Sequence, residues 1–371
     1  MQYRIKKREV WIDNARALAI ISVIWMHTAN IGIKDNILPA GMILSFNMPL
    51  FVFISGYCAY HTLERICQLS DFWKYIKKLT ICIGIPNLCY WAIDYGMSHT
   101  FQMHTVKTVA ATIVLLTLMF YAYLLYSHRL NAYSENFSLT IVLLFNFSGI
   151  FNSFWFLPFI LKTSVIAGVC ALVSKKANNN LAVFIILFSF MMTVCPCSFH
   201  ATMEFFTYYL LGLLAHKAEL FSIRFKYLAI LVCCGVSLYV ILFNFKLGNI
   251  NFYYHDAFNM IKKGEALGYL YRQCLAMTII LSIISFFKLN KNVKGIQSFT
   301  QIGMYTLAIY PIHAIIINII KEMGGANISS CLAYPVYVVI LTVASLLLVK
   351  VLERNKFLSF FFLGKITLVS G

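Results

Sequence analysis

The sequence predicts an all-α fold, a polytopic bundle of about ten to twelve membrane-spanning helices. Three observations carry this. Of 371 residues, 61% are apolar and only 12% charged, where a soluble domain carries about 25% charged residues. The mean hydropathy is +0.79. The apolar residues come in continuous runs rather than in alternation, which excludes a β-barrel. A soluble globule cannot hide this much apolar surface, so a cytosolic enzyme, a secreted domain and a disordered chain are excluded. The chain reads as one membrane-embedded domain over 1–371, with 353–371 as a short cytoplasmic tail.

The elements follow in order. Arg4, Lys6, Lys7 and Arg8 precede an apolar stretch from Val10 to about Ile31. A signal peptide has a shorter apolar core and a small-residue cleavage site. This stretch is longer, lacks such a site and contains Arg16 and His27. It is read as a retained first helix with a cytoplasmic N-terminus. Further apolar blocks cover 37–60, 79–97, 106–127, 138–151, 154–174, 181–195, 202–216, 226–246, 266–287, 300–320 and 332–352. The 138–151 block is short for a crossing, and reads equally as a re-entrant or interfacial piece. No internal repeat is visible.

The net charge is +17. In a soluble protein that excess would point to nucleic acid. In so apolar a chain the basic residues are expected in cytoplasmic loops, and no nucleic-acid partner is expected. Clusters fall at Lys74/Lys77/Lys78, His128/Arg129, Lys175/Lys176, His216/Lys217 with Arg224/Lys226, Lys288/Lys291/Lys294 and Arg354/Lys356. They alternate with weakly charged linkers near 31–36, 98–105, 196–201 and 321–331, which places both termini in the cytoplasm for an even number of crossings. Lys262 and Lys263, in the 247–265 linker placed outside, run against the pattern. Most of the 11 cysteines sit in apolar runs, among them Cys82, Cys89, Cys170, Cys233 and Cys234. They read as small buried hydrophobes. Only Cys195 and Cys197 look loop-exposed. No paired CxxC or zinc spacing occurs, so neither a metal nor a disulfide framework is expected.

Ionisable side chains inside apolar helices are costly, roughly 2.5–3.5 kcal/mol each on insertion scales, and are the default functional candidates. Asp13, Arg16, His27, Asp94, Glu204 and His313 meet that description. Arg16 and His27 are eleven positions apart, which leaves them about 20° from alignment and roughly 16 Å apart along the helix. Asp13 shares their side of the helix. Arg16, near the cytoplasmic end, suits an anionic group or snorkels to the headgroups. His27, near the outer end, suits proton transfer, because an unperturbed imidazole titrates at about 6.5; otherwise it hydrogen-bonds a carbonyl.

Pro49 in the second block leaves a helix carbonyl unpaired, and Ser55-Gly56 allows close backbone approach. Lys74-x-x-Lys77-Lys78 is expected in a cytoplasmic loop, as a topology signal or a phosphate cradle. Phe154-Trp155-Phe156-Leu157-Pro158 by itself reads as an aromatic interface belt. The stretch Gly303-x-Tyr305 through Ile309-Tyr310-Pro311-Ile312-His313 places a histidine in a helix after a proline.

Together these motifs resemble the membrane acyltransferase-3 family, the multi-pass O-acyltransferases of cell-surface polysaccharides. Arg16 and His27 stand at the family's Arg-x10-His spacing. Pro49-Leu50-Phe51-x-Phe53-Ile54-Ser55-Gly56-Tyr57 is similar to its Phe-rich Ser-Gly segment. Trp155-Phe156-Leu157, Tyr209-Leu210-Leu211-Gly212 and Gly303…Ile309-Tyr310-x-x-His313 follow in the family's order. One departure is Lys74-x-x-Lys77, where the family usually has Arg-x-x-Arg; lysine cannot make a bidentate phosphate contact. No appended hydrolase-like domain is seen.

The resemblance implies transfer of an acyl group, usually acetyl, from cytoplasmic acetyl-CoA across a bacterial inner membrane to a sugar hydroxyl. Acceptors of that kind are the O-antigen of lipopolysaccharide, a capsule or exopolysaccharide unit, or a lipid-linked sugar. Arg16, Lys74, Lys77 and Lys78 would bind the anionic donor. His27 would be the general base or an acyl carrier, with Arg16 and His313 completing the catalytic set. Ser55, Trp155 and Glu204 are the candidates for contacts to the acceptor.

A transporter or flippase for lipid-linked glycans is the alternative, but it would more often show an inverted repeat with broken helices. A noncatalytic membrane scaffold gives no reason for Arg16 and His27 to share a face. The basic residues place 61–77 and 288–299 in the cytoplasm and 98–105 and 321–331 outside. Single-cysteine labelling in a Cys-depleted variant checks this. Position 74 should react only after the cells are opened, and labelling in intact cells would reverse the topology.

Overall fold

The computed structural model describes residues 9–29, 40–100, 155–194, 202–220, 235, 266–290, 294–323 and 333–365. Among the described residues every regular element is helical. The expected blocks 106–127, 138–151 and 226–246 lie outside the described residues. So do Lys262, Lys263, His128, Arg129, Cys195, Cys197, Cys233 and Cys234. The helices are α1 (Val10–Ala29), α2 (Ala40–Glu64), α3 (Leu69–Leu79), α4 (Ile85–Thr100), α5 (Phe156–Lys176), α6 (Leu181–Val194) and α7 (Thr202–Lys217). After them come α8 (Ala266–Leu289), α9 (Lys294–Met304), α10 (Thr306–Glu322), α11 (Ala333–Arg354) and α12 (Lys356–Leu363).

Among the described residues two helices, Phe156–Lys176 and Tyr334–Arg354, are long and apolar enough to cross a membrane. They differ in what surrounds them. Most of α5 is buried, from Phe156 through Ala171. On α11 a stripe of Val336, Val339, Ile340, Val343, Leu347, Leu348 and Val351 is exposed, while Tyr334, Val338 and Leu341 face inward. The stripe recurs at three- and four-residue spacing, the period of one helix face. Ile186 and Phe190 on α6 repeat it on a smaller scale. Contiguous apolar surface of this kind is unfavourable in water and is what hydrocarbon solvates.

The basic cluster Lys74/Lys77/Lys78 is on a helix, not in the loop the hydropathy blocks imply. The turn at 65–68 starts it: Asp71 Oδ2 accepts the backbone N–H groups of Cys67 and Gln68, both at 3.3 Å. From there α3 is amphipathic, with Tyr75 and Ile76 buried and Lys74 and Lys78 exposed. A block read by apolar content misses such a helix because half of its surface is polar. The helix continues through a π-helical stretch, Thr80–Gly84, directly into α4. Cys67, in the preceding turn, is exposed.

The chain forms two compact units. The first comprises Met1–Tyr57, Thr207–Thr306 and Ile317–Leu346. In it α1 runs along α9, and Thr300 Oγ1 donates to Asn14 Oδ1 at 2.9 Å. Two glycines let α2 and α7 meet at backbone distance. A Cβ on Gly56 would strike the Tyr209 carbonyl, and one on Gly212 would strike the Phe53 carbonyl. Each glycine is the notch for the other helix, so Ser55-Gly56 and the Tyr209–Gly212 segment are two halves of one contact.

The second unit comprises Cys58–Phe206, Leu307–Ile316 and Leu347–Gly371. Here α3 packs against α5. The Tyr75 hydroxyl donates to the Ser164 carbonyl at 3.2 Å, and the same ring lies against Gly168. Helix α12 closes on α4: Phe360 and Phe361 join Ile81, Ile85 and Cys89 in one apolar cluster. Asn355 caps α12 by accepting from the N–H of Phe357 at 2.9 Å and Leu358 at 3.2 Å. Gly364 ends it in the left-handed region, φ 61°, against the backbone of Ile81 and Cys82. That position combines positive φ with close approach, and only glycine meets both conditions without strain.

The glycine contacts separate backbone from side-chain collisions. Gly56→Ala and Gly212→Ala should each destabilise by about 3 kcal/mol or more, because backbone must move. Gly168→Ala meets only the Tyr75 and Phe72 rings, at 3.0–3.2 Å, and should lose about 1 kcal/mol. Thermal unfolding of the detergent-solubilised variants measures the order.

Candidate functional site

In the first unit the site starts from α1. Trp11, Asp13, Asn14 and Ala15 are buried, whereas Arg16 and His27 are both half-buried. The two stand on α1 at the helical spacing read from the sequence, whereas Asp13 is buried. Gly303 of α9 lies on the Asp13 backbone, where a Cβ would collide with the carbonyl. This contact and the Asn14–Thr300 bond fix the rotation of α1 about its axis, and so fix where Arg16 points.

The His27 end is fixed separately. The Tyr334 hydroxyl donates to the Trp25 carbonyl, and the two rings meet edge to face, 4.7 Å apart. Lys321 lies within electrostatic reach of His27. Ser22 and Thr28 donate back to the carbonyls of Leu18 and Ile24, each at 2.8 Å, so these hydroxyls need no partner elsewhere.

At the other end of α1 an aromatic group that the sequence reading missed joins four helices. Trp11 meets Tyr57 edge-on at 5.3 Å, and Tyr57 meets His216 at 4.3 Å. Lys288 Nζ sits 5.4 Å from the Trp11 ring centroid, within cation–π range. His216 and Lys288 read in sequence only as members of basic clusters. Their aromatic partners lie far off along the chain and gave no local signal. Ser55 is half-buried two residues before Tyr57, and its Oγ donates to the Phe51 carbonyl at 2.8 Å. Its lone pairs remain available as acceptors. Glu204 lies in the first turn of α7.

In the second unit two more of the motifs meet. Trp155 precedes α5 and packs on Phe156, Phe159 and Phe205, the last at 5.6 Å and 30° between planes. Phe156 touches Tyr310 at 5.4 Å, and a hydrogen bond joins Tyr310 to the Phe156 backbone. Tyr310 in turn meets His313 edge-on at 5.9 Å. His313 is fully buried. Its Nδ1 lies 3.0 Å from the Ile309 carbonyl, and a carbonyl only accepts, so Nδ1 carries the proton. Lys74 and Lys78 are exposed and Lys77 is half-buried.

The sequence reading also missed Lys162. It is buried on α5, followed by buried Thr163 and Ser164. A scan of the apolar blocks for ionisable residues finds it, since it is the one charge between Trp155 and Ser174. Among the described residues, no three His, Cys, Asp or Glu side chains gather closely enough to hold a metal ion.

Exposed apolar stripes on α11 and α6 fit a helical membrane protein. The chain belongs to the acyltransferase-3 family, whose family model, an acyltransferase domain, matches residues 9–354. Acyl transfer is the activity that goes with that domain. No curated protein and no solved structure matches the chain.

The Phe156 contacts yield a stability prediction. Phe156 is 2% exposed, so Phe156→Ala should destabilise by about 3–5 kcal/mol. Thermal unfolding would show it, and a loss below about 1 kcal/mol would mean that the Trp155–Phe156 and Tyr310–His313 segments do not depend on each other.

Proposed function

We propose that the chain transfers an acetyl group from cytoplasmic acetyl-CoA to a hydroxyl of a cell-surface polysaccharide or lipid-linked sugar, in the bacterial inner membrane. The observation that carries this is the pair on α1. In an acyltransferase-family chain, a guanidinium and an imidazole, both half-buried, stand eleven residues apart on a single apolar helix. Arg16 meets the negatively charged donor by charge-assisted hydrogen bonds, and Lys74, Lys77 and Lys78 add positive charge on the donor side. Ser55, Trp155 and Glu204 contact the acceptor.

In the reaction His27 takes the proton from the acceptor hydroxyl. The freed oxygen attacks the thioester carbonyl, a C–O bond forms and the C–S bond breaks. CoA leaves as thiolate and receives the proton. His313 is the second candidate for the base. Both cations and base are offered by protein side chains, and no redox step is involved.

Transfer of label from acetyl-CoA in membranes that contain the chain tests the reading. His27→Ala should leave protein level and donor binding near normal while transfer falls about 10²–10⁴-fold. His27→Gln should be nearly as inactive, since an amide does not titrate. Arg16→Ala should weaken donor affinity by roughly 1.5–3 kcal/mol, and Arg16→Lys should recover it only in part. If His27→Gln keeps normal transfer and His313→Gln is dead, the base is His313. If both keep activity, this mechanism is wrong.

A further inference from the structure

At the end of α1 that the proposed topology places outside, His27 has a cation for a neighbour. His27 stands about 20° and 40° round the helix from Ile20 and Val23, both of which are buried. It therefore extends the protein-facing side of α1, and is itself half-buried. Lys321 stands about 40° round its helix from Ile317, which is also buried, and lies in the last turn of α10. The two side chains come within electrostatic reach of each other, and both belong to the first unit. The start of α11 is pinned at the same place, because the Tyr334 hydroxyl donates to the Trp25 carbonyl. Three helix ends thus meet round His27 and Lys321.

Lys321 is exposed, and among the described residues no carboxylate pairs with it. The adjacent Glu322 is about 100° round the helix and does not face it. A helix C-terminus accepts a lysine for the macrodipole alone, but that leaves its place beside the base without consequence. The reaction supplies one. When His27 takes the acceptor's proton, an imidazolium forms beside an ammonium, and like charges at close range oppose each other. An anion carried by the acceptor balances both, and Lys321 can hold it by a charge-assisted hydrogen bond. A neutral acceptor leaves the repulsion in place.

We infer that Lys321 selects the acceptor, and that the hydroxyl activated by His27 belongs to an acidic sugar with a carboxylate or phosphate close to that hydroxyl. The inference rests on the proposed acyl transfer by His27 and adds the chemical class of its acceptor.

Transfer of label from acetyl-CoA by the purified protein in phosphatidylcholine nanodiscs tests it, with methyl glucuronide, glucose 1-phosphate and methyl glucoside as acceptors. The three share the gluco-configured ring and differ in charge. At least one acidic probe should show a KM severalfold below that of the glucoside. Lys321→Gln should raise that KM about three- to tenfold, while kcat/KM for the glucoside does not fall. Lys321→Arg should keep the preference and Lys321→Glu should reverse it. Added salt should raise the KM of the acidic probe in the parent and not in Lys321→Gln.

A parent that prefers the glucoside, or treats all three alike, overturns the inference. So does a preference for acidic probes that survives in Lys321→Gln. An equal loss for all three probes in that variant marks a lysine that only holds the helix end, and the inference fails. If the variant differs from the parent only when phosphatidylglycerol is added, Lys321 holds a lipid headgroup, and the inference fails again. Should Lys321→Gln not fold, a salt-independent KM in the parent overturns it as well. Release of coenzyme A without transfer to either acidic probe overturns this inference alone. A parent that neither transfers label nor releases coenzyme A overturns the acetyl-CoA reading itself.

Discussion

Hydrocarbon offers no hydrogen-bond partner, and this constraint shapes the rest of the molecule. Backbone groups must be satisfied within each segment, which is why the described elements are helices. Hydroxyls follow the same rule. Ser22, Thr28, Ser55 and Thr342 each close on the carbonyl one turn back, which lets a polar residue sit in an apolar helix at little expense. Apolar contact between helices gains little over contact with lipid, so association depends on close packing. Gly56, Gly212 and Gly303 supply it by bringing backbones together. Polar atoms that remain unmatched, such as those of Thr80 and Thr163, stand out against this background.

The motifs that read as separate along the chain are largely partners in space. The segment ending in Ser55-Gly56-Tyr57 meets Tyr209–Gly212, the start of α1 meets Gly303, and Trp155-Phe156 meets Tyr310 and His313. In each pair one member positions the other. Arg16 is aimed by Gly303 and Thr300, neither of which touches its side chain in the contacts described above. A substitution at either therefore acts on the direction of Arg16 through helix rotation.

The all-helical class and the shared face of Arg16 and His27 were legible in the sequence, because hydropathy and the 3.6-residue period are local. The glycine contacts were not. Gly56 is identifiable as a small residue, but nothing near it names Tyr209 as its partner. Lys74, Lys77 and Lys78 were assigned to a loop because apolar content alone was followed there; the alternation of Tyr75 and Ile76 with the lysines carried the helix. Lys162 was legible but overlooked, one charge in an otherwise apolar run. The Trp11–Tyr57–His216–Lys288 group depends on four helix ends converging, which no local pattern encodes.

The bond between Asn14 and Thr300 spans 286 residues of sequence, and this sets a schedule for biogenesis. At a synthesis rate of about 5–20 residues per second, α1 waits roughly 15–60 seconds after it leaves the ribosome before its partner helix exists. During that time Asp13 and Asn14 sit on an apolar helix without the surroundings that later bury them. The second unit has the same delay, since Cys82 meets Gly364 only when the last helix has been made. Translation order thus runs against assembly order, and a ribosome that stalls late leaves both units unfinished at once.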